Sequence, residues 1–353
     1  GTITYKAYGE GHINNTSLVT VTGKETHRFI LQRINTDIFT NPKSLMENIC
    51  GVTSYLKDII AESGGDTERE TMTVVYTRDG QPYYTDSTQG AWRIYKFVEH
   101  TICLQQCRNT EDFYTSAKAF GQFQKNLSGY DASTLHETIP DFHNTRKRYQ
   151  KLREDMEADV CGRVAEVREE LDWLLSGEDT ACKLTDLYTE GKLPLRVTHN
   201  DTKINNVLFD EATHKALVVI DLDTVMPGLV GHDFGDAIRF AANFVEEDSP
   251  EVDKAGVNLN IYWAFAEGFI QKTAFTLTET EVDTLGLSCF ALACELATRF
   301  LDDYIVGDKY FKIKYEKHNL TRTRCQIALA KDMLLKMDAM NAIVKDCWVR
   351  YKD

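Results

Sequence analysis

The sequence predicts an α+β protein of two lobes, a β-rich lobe over residues 1–97 and a mainly helical lobe over residues 98–353. Short β-favouring runs fill the first hundred residues, long helical stretches follow, and the most distinctive catalytic motif lies within the second part. A chain of 353 residues is long enough for two lobes around a cleft. We therefore expect a cleft near residues 95–100, where the two parts meet.

The β-rich lobe is predicted from runs of β-branched and aromatic residues at 17–23, 28–34 and 92–98. Asp79-Gly80 stands between two further runs and is typical of a β-hairpin turn. One helix interrupts the strands at 42–63, because apolar residues recur there at helical spacing.

The second part is predicted to be helical, with short strands only around residues 193–220. Apolar residues that recur at three- and four-residue intervals predict helices at 256–273, 281–305 and 321–350. Residues 149–175 are charged on most faces, which predicts one solvated surface helix.

Composition narrows the class of function. The net charge of −14 argues against a nucleic-acid partner and against a basic membrane-binding surface. No apolar run approaches the length that a bilayer-spanning helix requires, and residues 1–6 do not fit a signal peptide. The nine cysteines are scattered without a Cys-x-x-Cys pair, which favours reduced thiols in a cytoplasmic protein.

Residues 199–206 carry the most informative motif, His-Asn-Asp-Thr-Lys-Ile-Asn-Asn. Kinase-type phosphoryl transfer uses an Asp that accepts the proton of the attacking hydroxyl and, five residues later, an Asn that binds a metal ion. These residues are Asp201 and Asn206, and Lys203 between them can neutralise charge on the phosphoryl oxygens. Asp and Asn are also common in ordinary loops, so the motif gains its weight from the strand that follows.

A metal site is predicted where an apolar strand ends in Asp221 and Asp223. Kinases keep their main magnesium ligand at such a position, so Asp221 is the expected ligand and Asp223 the second. Residues 233–235 spell the protein-kinase metal motif Asp-Phe-Gly, but they begin 32 residues after Asp201, against 20 for Asp221. We therefore expect Asp233 to brace the catalytic loop or to approach the substrate.

Phosphate contacts are predicted first from Gly9, Gly11 and His12, which precede the first clear strand. Glycines at this place would let backbone amides approach the phosphates of ATP. Asn14 stands where the third glycine of a Gly-x-Gly-x-x-Gly motif would be. An ordinary turn is therefore the alternative.

A second phosphate contact is expected on the strand 28–34, because a kinase carries a Lys in its third strand, paired with a helix Glu. Gln32 occupies the expected position, and Arg33 is adjacent on the opposite face. Gln can hydrogen-bond a phosphate oxygen but brings no charge, so Arg33 is the candidate for that charge. Glu47 is the candidate helix partner, although an exposed Glu without this role fits the sequence equally well.

Together these motifs make the whole chain resemble the aminoglycoside phosphotransferase and choline kinase superfamily and, within it, the N-acetylhexosamine 1-kinases. The resembling segments are 9–14, 29–34, 46–49, 92–93, 199–206, 220–228, 235–239 and 299–304. The resemblance implies a protein-kinase-like fold with ATP and Mg²⁺ bound between the lobes. It also implies transfer of the γ-phosphate to the anomeric hydroxyl of N-acetylglucosamine or N-acetylgalactosamine.

The resemblance further implies individual roles. Asn206 and Asp221 match the metal ligands, and the adenine is expected against the connecting strand from Lys96 to Val98. Asp201 is expected to be the base and also to orient the sugar, and Arg299 matches a family position that contacts the sugar. The other residues expected to contact the substrate are Asp233, Asp303 and Tyr304.

Two alternatives stay open on the sequence. The same chemistry could act on another sugar, an amino alcohol or an aminoglycoside, or the chain could bind nucleotide without turnover. The presence of Asp201, Lys203, Asn206 and Asp221 argues against the second alternative. The expected partner is a small-molecule sugar, with no nucleic acid and no membrane, and the oligomeric state is open, with a monomer compatible.

Overall fold

The computed structural model describes residues 1–9, 13–105 and 109–352. A six-stranded antiparallel sheet is formed by the first 96 residues, in the order β1-β2-β3-β6-β4, with β5 also paired to β6. The strands are β1 (Thr2–Ala7), β2 (Asn15–Thr22), β3 (Thr26–Arg33), β4 (Val74–Val75), β5 (Tyr84–Thr85) and β6 (Ala91–Lys96). The prediction of a β-rich first part is confirmed.

The predicted hairpin around Asp79-Gly80 is only half right. The turn forms, with Gly80 at φ +76° and its N–H donating to the Thr77 carbonyl at 3.0 Å. However, β4 and β5 do not pair with each other, because each pairs with a different half of β6. They are two pieces of one edge strand, separated by the excursion that contains the turn.

Helix α1 (Pro42–Glu62) confirms the predicted helix within one residue. Asn41 caps the N-terminus of the helix by accepting from the N–H of Ser44, and Pro42 occupies the first helical position. Asparagine is favoured at the capping position and proline at the position after it. The side-chain amide of Asn48 donates to the carbonyls of His136 and Val225, so the helix is fastened to the second part of the chain.

The second part is mainly helical, as predicted. Its helices are α2 (Thr110–Asn126), α3 (Thr145–Ala158), α4 (Arg168–Ser176), α5 (Glu178–Ala181), α6 (Lys183–Thr189), α7 (Val230–Ala241), α8 (Leu259–Thr273), α9 (Glu279–Ile305) and α10 (His318–Tyr351). Two small antiparallel sheets lie among them, one in the order β10-β9-β7 and one of β11 and β8. These strands are β7 (Thr101–Cys103), β8 (Arg196–Thr198), β9 (Val207–Asp210), β10 (Ala216–Val219) and β11 (Met226–Gly228).

The single helix predicted for 149–175 is wrong, because the chain breaks there into α3, a 3₁₀ turn and α4. Asp159 ends α3 in the left-handed region at φ +36°, and Gly162 follows at φ +67°. Val164 and Val167 of the 3₁₀ turn are buried. The burial of these two valines, which a charge pattern does not reveal, requires the break.

Helix α9 corrects the expectation about apolar runs. By length and composition this helix could cross a membrane, whereas no apolar run of that length was expected. In the fold, 78% of its most apolar window is buried, and it packs against α3, α7 and α10. Such burial is typical of the central core helix of a globular protein.

Candidate active site

The catalytic loop lies between β8 and β9 and brings the predicted base and its neighbours together. The Asp201 carboxylate accepts from Nδ2 of Asn206 at 3.0 Å and contacts Nζ of Lys203 at 2.8 Å. Burial lowers the pKa of Lys203, but the carboxylates of Asp201 and Asp236 outweigh that effect and the pKa is raised. The lysine is therefore a stable cation beside the base.

His199 acts in this loop as a buried anchor. Its Nε2 lies 2.9 Å from the carbonyl of Ile220, directly before the predicted metal ligand. The rings of Phe120 and Phe123 meet the imidazole edge-on, at centroid distances of 5.5 and 5.9 Å. The first residue of the motif thus fixes the loop to the end of β10.

Asp233 braces the catalytic loop from behind, which is one of the two roles predicted for it. Its carboxylate accepts from the backbone N–H groups of His199 and Asn200, at 3.0 and 2.8 Å, and from Gln124 at 2.7 Å. The backbone carbonyl of Asp233 accepts from the Thr202 hydroxyl at 2.7 Å. Since Asp233 is only 1% exposed, a substrate contact would require these bonds to break.

The rest of the Asp-Phe-Gly sequence packs α7 into the core. Phe234 is buried against the rings of Tyr262, Phe265 and Phe269. A Cβ on Gly235 would lie 2.6 Å from the Ser288 carbonyl oxygen, so only glycine fits there. This motif therefore supplies helix packing in this fold.

Asp221 and Asn206 each leave a side-chain oxygen without a partner among the described residues. Asp221 follows β10 at φ +60°, and its carboxylate has no hydrogen bond to the described residues. Burial in the cleft, then the carboxylates of Asp223 and Asp201, raise the pKa of Asp221 to about 6. A cation would relieve this repulsion, and Oδ1 of Asn206 has no partner among the described residues. The pair therefore fits a Mg²⁺ ion that is completed by phosphates and water.

Within the described ranges, no group of three or more His, Cys, Asp or Glu could hold a metal ion. A site of one carboxylate and one amide is accordingly what the chain offers. Asp223, the predicted second ligand, has its oxygens engaged elsewhere. It forms an ion pair with Arg93, with Oδ1 at 2.5 Å from Nη1 and Oδ2 at 2.8 Å from Nη2, and accepts from Asn14 at 2.6 Å.

Gln32 and Arg33, the two predicted phosphate contacts on β3, lie in different surroundings in the structure. Gln32 faces the cleft side of the sheet, where it donates to Thr16 at 3.0 Å and accepts from Arg93 at 2.9 Å. Arg33 is exposed and lies over the ring of Trp92 at 5.9 Å, away from Gln32. Glu47 contacts His136 at 2.7 Å, and no bond joins it to the β3 residues.

The glycine-rich segment is described only at its start. Gly9 turns the chain after β1 with φ +77°, a conformation that favours glycine. Gly11 and His12 lie outside the described residues. On the connecting strand, Lys96 pairs with Glu68 at 2.7 Å, and the Val98 N–H has no acceptor among the described residues. That free amide suits the predicted contact with adenine.

Arg299 lies in an aromatic enclosure. Its guanidinium is 5.7, 5.8 and 5.5 Å from the ring centroids of Phe142, Tyr310 and Phe311. Burial, and then the charge of Arg148, lowers the pKa of Arg299. No carboxylate of the described residues lies within 4 Å of it, so its charge is not neutralised by an ion pair.

Asp303 and Tyr304, the neighbouring substrate candidates, support this enclosure. The Asp303 carboxylate accepts from the backbone N–H groups of residues 309–311, at 2.8 to 2.9 Å, and from Asn319 at 2.8 Å. Tyr304 is buried, and its hydroxyl donates to Glu166 at 2.5 Å. Asp303 thus holds the segment that carries Tyr310 and Phe311, whereas Tyr304 ties α9 to the turn that contains Glu166. Direct substrate contact by either residue would have to displace these bonds.

A continuous series of charged groups connects the base to Arg299. Asp201 contacts Lys203, Asp236 lies within electrostatic range of Lys203, and His143 lies within range of Asp236. His143 in turn bonds Glu295 at 2.8 Å, and Glu295 lies within range of Arg299. We call this series of side chains, from Asp201 to Arg299, the acceptor side of the site.

Two further residues of the site were given no role from the sequence, although Arg93 lies in one of the resembling segments. Arg93 is only 2% exposed on β6, where alternation with the buried Ala91 and Tyr95 could have indicated an inward-facing arginine. Phe240 is 44% exposed, and Nζ of Lys203 lies 5.6 Å from its ring centroid. No sequence signal separates such an aromatic from the core residues of a helix.

The site is defined by these groups rather than by an enclosed cavity. A cavity of about 660 Å³ lies between α2 and β9–β10, behind the catalytic loop. Its lining includes Phe123 and Val219 but neither Asp201 nor Asp221.

Comparison with known proteins agrees with this geometry. The model of a family described as "Phosphotransferase enzyme family" matches residues 4–269 of the chain. The chain belongs to this phosphotransferase family. The predicted aminoglycoside phosphotransferase and choline kinase superfamily is thereby confirmed, and the chain is a kinase that transfers a phosphoryl group to a hydroxyl of a small molecule. Membership also implies the use of ATP and a divalent metal.

Solved structures show how closely this phosphotransferase follows the common fold. A microcompartment-associated aminopropanol kinase is 18% identical, with 95% of this chain and 93% of that chain covered and a TM-score of 0.65. An aminoglycoside phosphotransferase from Alicyclobacillus acidocaldarius is 13% identical, with 97% and 92% covered and a TM-score of 0.63. An amicoumacin kinase in complex with AMP-PNP, Ca²⁺ and Ami is 14% identical, with 92% and 87% covered and a TM-score of 0.57. These likenesses confirm the α+β kinase-like fold.

Proposed function

We propose that this phosphotransferase uses ATP and Mg²⁺ to phosphorylate the anomeric hydroxyl of N-acetylhexosamines, N-acetylglucosamine or N-acetylgalactosamine. The observation that carries the proposal is the charge of the acceptor side. Arg299 forms no ion pair within 4 Å in the described residues, with Glu295 its nearest electrostatic partner, and Lys203 lies beside the base. The resemblance of segments 199–206, 220–228 and 299–304 to the N-acetylhexosamine 1-kinases supports the same acceptor.

A cationic acceptor such as choline or an aminoglycoside would need unpaired carboxylates or an open aromatic cage. Here the acids that approach the acceptor side are already engaged. Asp233 and Asp303 bind backbone amides, Asp236 pairs with Arg239 at 2.9 Å, and Glu295 binds His143 and Thr145 at 2.8 Å. A neutral sugar with hydrogen-bonding oxygens fits these surroundings better than an ammonium group.

In this proposal Asp201 orients the anomeric hydroxyl and accepts its proton as the phosphoryl group is transferred. Asn206 holds the Asp201 carboxylate through Nδ2, while Lys203 neutralises charge that develops on the phosphoryl oxygens. The anomeric hydroxyl is more acidic than an ordinary alcohol, so one carboxylate suffices. Arg299 orients the sugar from the opposite end of the acceptor side.

Asp221 and Oδ1 of Asn206 would hold the metal ion. When bound, the ion neutralises phosphate charge and orients the β- and γ-phosphates. The adenine would meet the backbone amide of Val98. None of the eight cysteines in the described ranges forms a disulfide, which supports the predicted reducing, cytoplasmic location.

The test is ADP release with ATP and Mg²⁺ across seven acceptors: N-acetylglucosamine, N-acetylgalactosamine, glucose, galactose, choline, homoserine and kanamycin. We expect turnover of the N-acetyl sugars that disappears with their methyl glycosides, because the attacking hydroxyl is then blocked. The Asp201→Asn variant provides the background rate for each acceptor.

The outcomes separate the alternatives. Turnover of methyl glycosides would show that another hydroxyl is attacked. Turnover of choline or kanamycin, without the sugars, would keep the chemistry and replace the acceptor. ATP binding without turnover of any acceptor would support a nucleotide-binding module.

A further inference from the structure

The positive charge that kinases place on their third strand has an unusual source in this fold. Gln32 on β3 and Arg93 on β6 are direct cross-strand partners, so both side chains leave the sheet on the same face. Nε of Arg93 donates to Oε1 of Gln32 at 2.9 Å. The neutral side chain at the expected lysine position is thus bonded to a cation one strand away.

The carboxylate that pairs with this cation also lies elsewhere than on helix α1, where a kinase is expected to supply it. Both Nη atoms of Arg93 contact Asp223, at 2.5 and 2.8 Å, and Asn14 donates to the same carboxylate. Helix α1 contributes only Met46, whose sulfur lies 4.0 Å from Nη1. Glu47, the predicted helix partner, contacts His136 instead. The ion pair therefore joins the sheet to the metal-binding segment, two residues after Asp221.

We propose that Arg93 is the positioning residue that replaces the third-strand lysine. It supplies a buried positive charge to the metal and phosphate site, and it holds Asp223 so that Asp221 and Asn206 remain the metal ligands. The inference deepens the proposed kinase reaction and rests on it only for the use of a metal–nucleotide complex. It does not depend on which acceptor is phosphorylated.

The physical argument lies in burial and charge. Arg93 and Asp223 are 2% and 4% exposed. A buried charge without a partner is strongly unfavourable, so each residue requires the other. Through Asp223, the charge of Arg93 also lies beside the carboxylates of the metal-binding segment. A neutral side chain at position 93 would leave those carboxylates and the incoming phosphates without this cation.

The experiment compares Arg93→Lys with Arg93→Met, since both lose the guanidinium fork and only lysine keeps the charge. Binding of ADP in the presence of Mg²⁺ is measured by calorimetry, with no acceptor present. We expect Arg93→Met to weaken binding about tenfold or more and Arg93→Lys to stay within about threefold of the unmodified chain. The double variant Gln32→Lys/Arg93→Met should recover most of the lost affinity, because it returns the cation to β3.

A matched control removes a different arginine–carboxylate pair within the helical part of the chain. Arg324 of α10 contacts Glu170 of α4 at 2.6 Å, and neither residue contacts the metal segment or the connecting strand. We expect Arg324→Met to lower the melting temperature and to leave the Mg²⁺–ADP affinity unchanged within about twofold. Equal affinities of the Lys and Met variants at position 93, or no recovery by Gln32→Lys, would overturn the proposal. Failure of the acceptor panel would leave this result unaffected.

Discussion

The catalytic loop and the Arg299 enclosure differ in how they are held. In the loop, buried hydrogen bonds fix the backbone itself, through Asp233 and His199. In the enclosure, Arg299 contacts aromatic faces at 5.5 to 5.8 Å, and no ion pair within the described residues fixes its guanidinium. Buried charge-assisted bonds are strong and directional, whereas contacts of a cation with rings tolerate small displacements.

This difference separates the chemistry of the site from its specificity. Phosphoryl transfer depends on exact positioning of the base and the metal ligands, and the more rigidly held region supplies them. In the proposed reaction, the less constrained region contacts the acceptor. A relative could therefore change its acceptor at such an enclosure while the loop stays the same. The predictions below test this division, from the largest expected effect to the smallest.

The first prediction concerns the base. Asp201→Asn should lower kcat about 10³-fold, because an amide cannot accept the hydroxyl proton. ATP binding should stay within about twofold, since the change is isosteric and the loop is fixed by other residues. Steady-state ADP release and calorimetry measure the two quantities. Residual activity above a tenth would exclude Asp201 as the base.

The second prediction concerns the brace. Asp233→Asn should lower kcat about 100-fold, because an amide cannot accept from all three donors and the loop would shift. It should also cost about 2–4 kcal/mol in the free energy of unfolding, since buried donors lose their acceptor. Urea unfolding and ADP release measure these effects. A loss of stability with unchanged kcat would show that the loop keeps its geometry without Asp233.

The third prediction concerns the enclosure. Arg299→Ala should raise the KM for the sugar about tenfold or more and change the KM for ATP less than about twofold. Arg299→Lys is the control that keeps the charge, and we expect an intermediate KM. If both substrates were affected equally, Arg299 would support the fold rather than contact the sugar.

The fourth prediction concerns the buried His232 and the pH dependence of the stability of the fold. Burial, and then His143, lowers the pKa of His232 to about 3, and its Nδ1 accepts from the N–H of Leu229 at 3.3 Å. Folded His232 therefore stays neutral. Below about pH 6.5 the unfolded chain binds a proton that the folded chain cannot, so stability should fall, by about 2 kcal/mol at pH 5.

Urea unfolding between pH 7.5 and pH 5 measures this contribution. His232→Gln should reduce the pH dependence, because glutamine keeps an acceptor and does not titrate there. An unchanged slope in His232→Gln would show that His232 can be protonated without unfolding.

Local patterns were sufficient for several elements. Helix α1 follows from its apolar spacing and its N-terminal Asn-Pro, both of which act within a few residues. The hairpin prediction failed because the partner of β4 and β5 is β6, which no turn signal can indicate. The break after α3 was missed for a similar reason, since it depends on which side chains the tertiary fold buries.

The sequence by itself determined the family, the type of chemistry and the spacing of the proposed base and metal ligands, because these groups lie within one loop and the strand that follows it. The tertiary structure alone decided which charges meet. Arg93 and Asp223 are 130 residues apart, and Arg299 meets Phe142 and Tyr310 through the packing of separate segments. A pairing of buried charges depends on distance in space, so it emerges only when the sheet and the helices pack together.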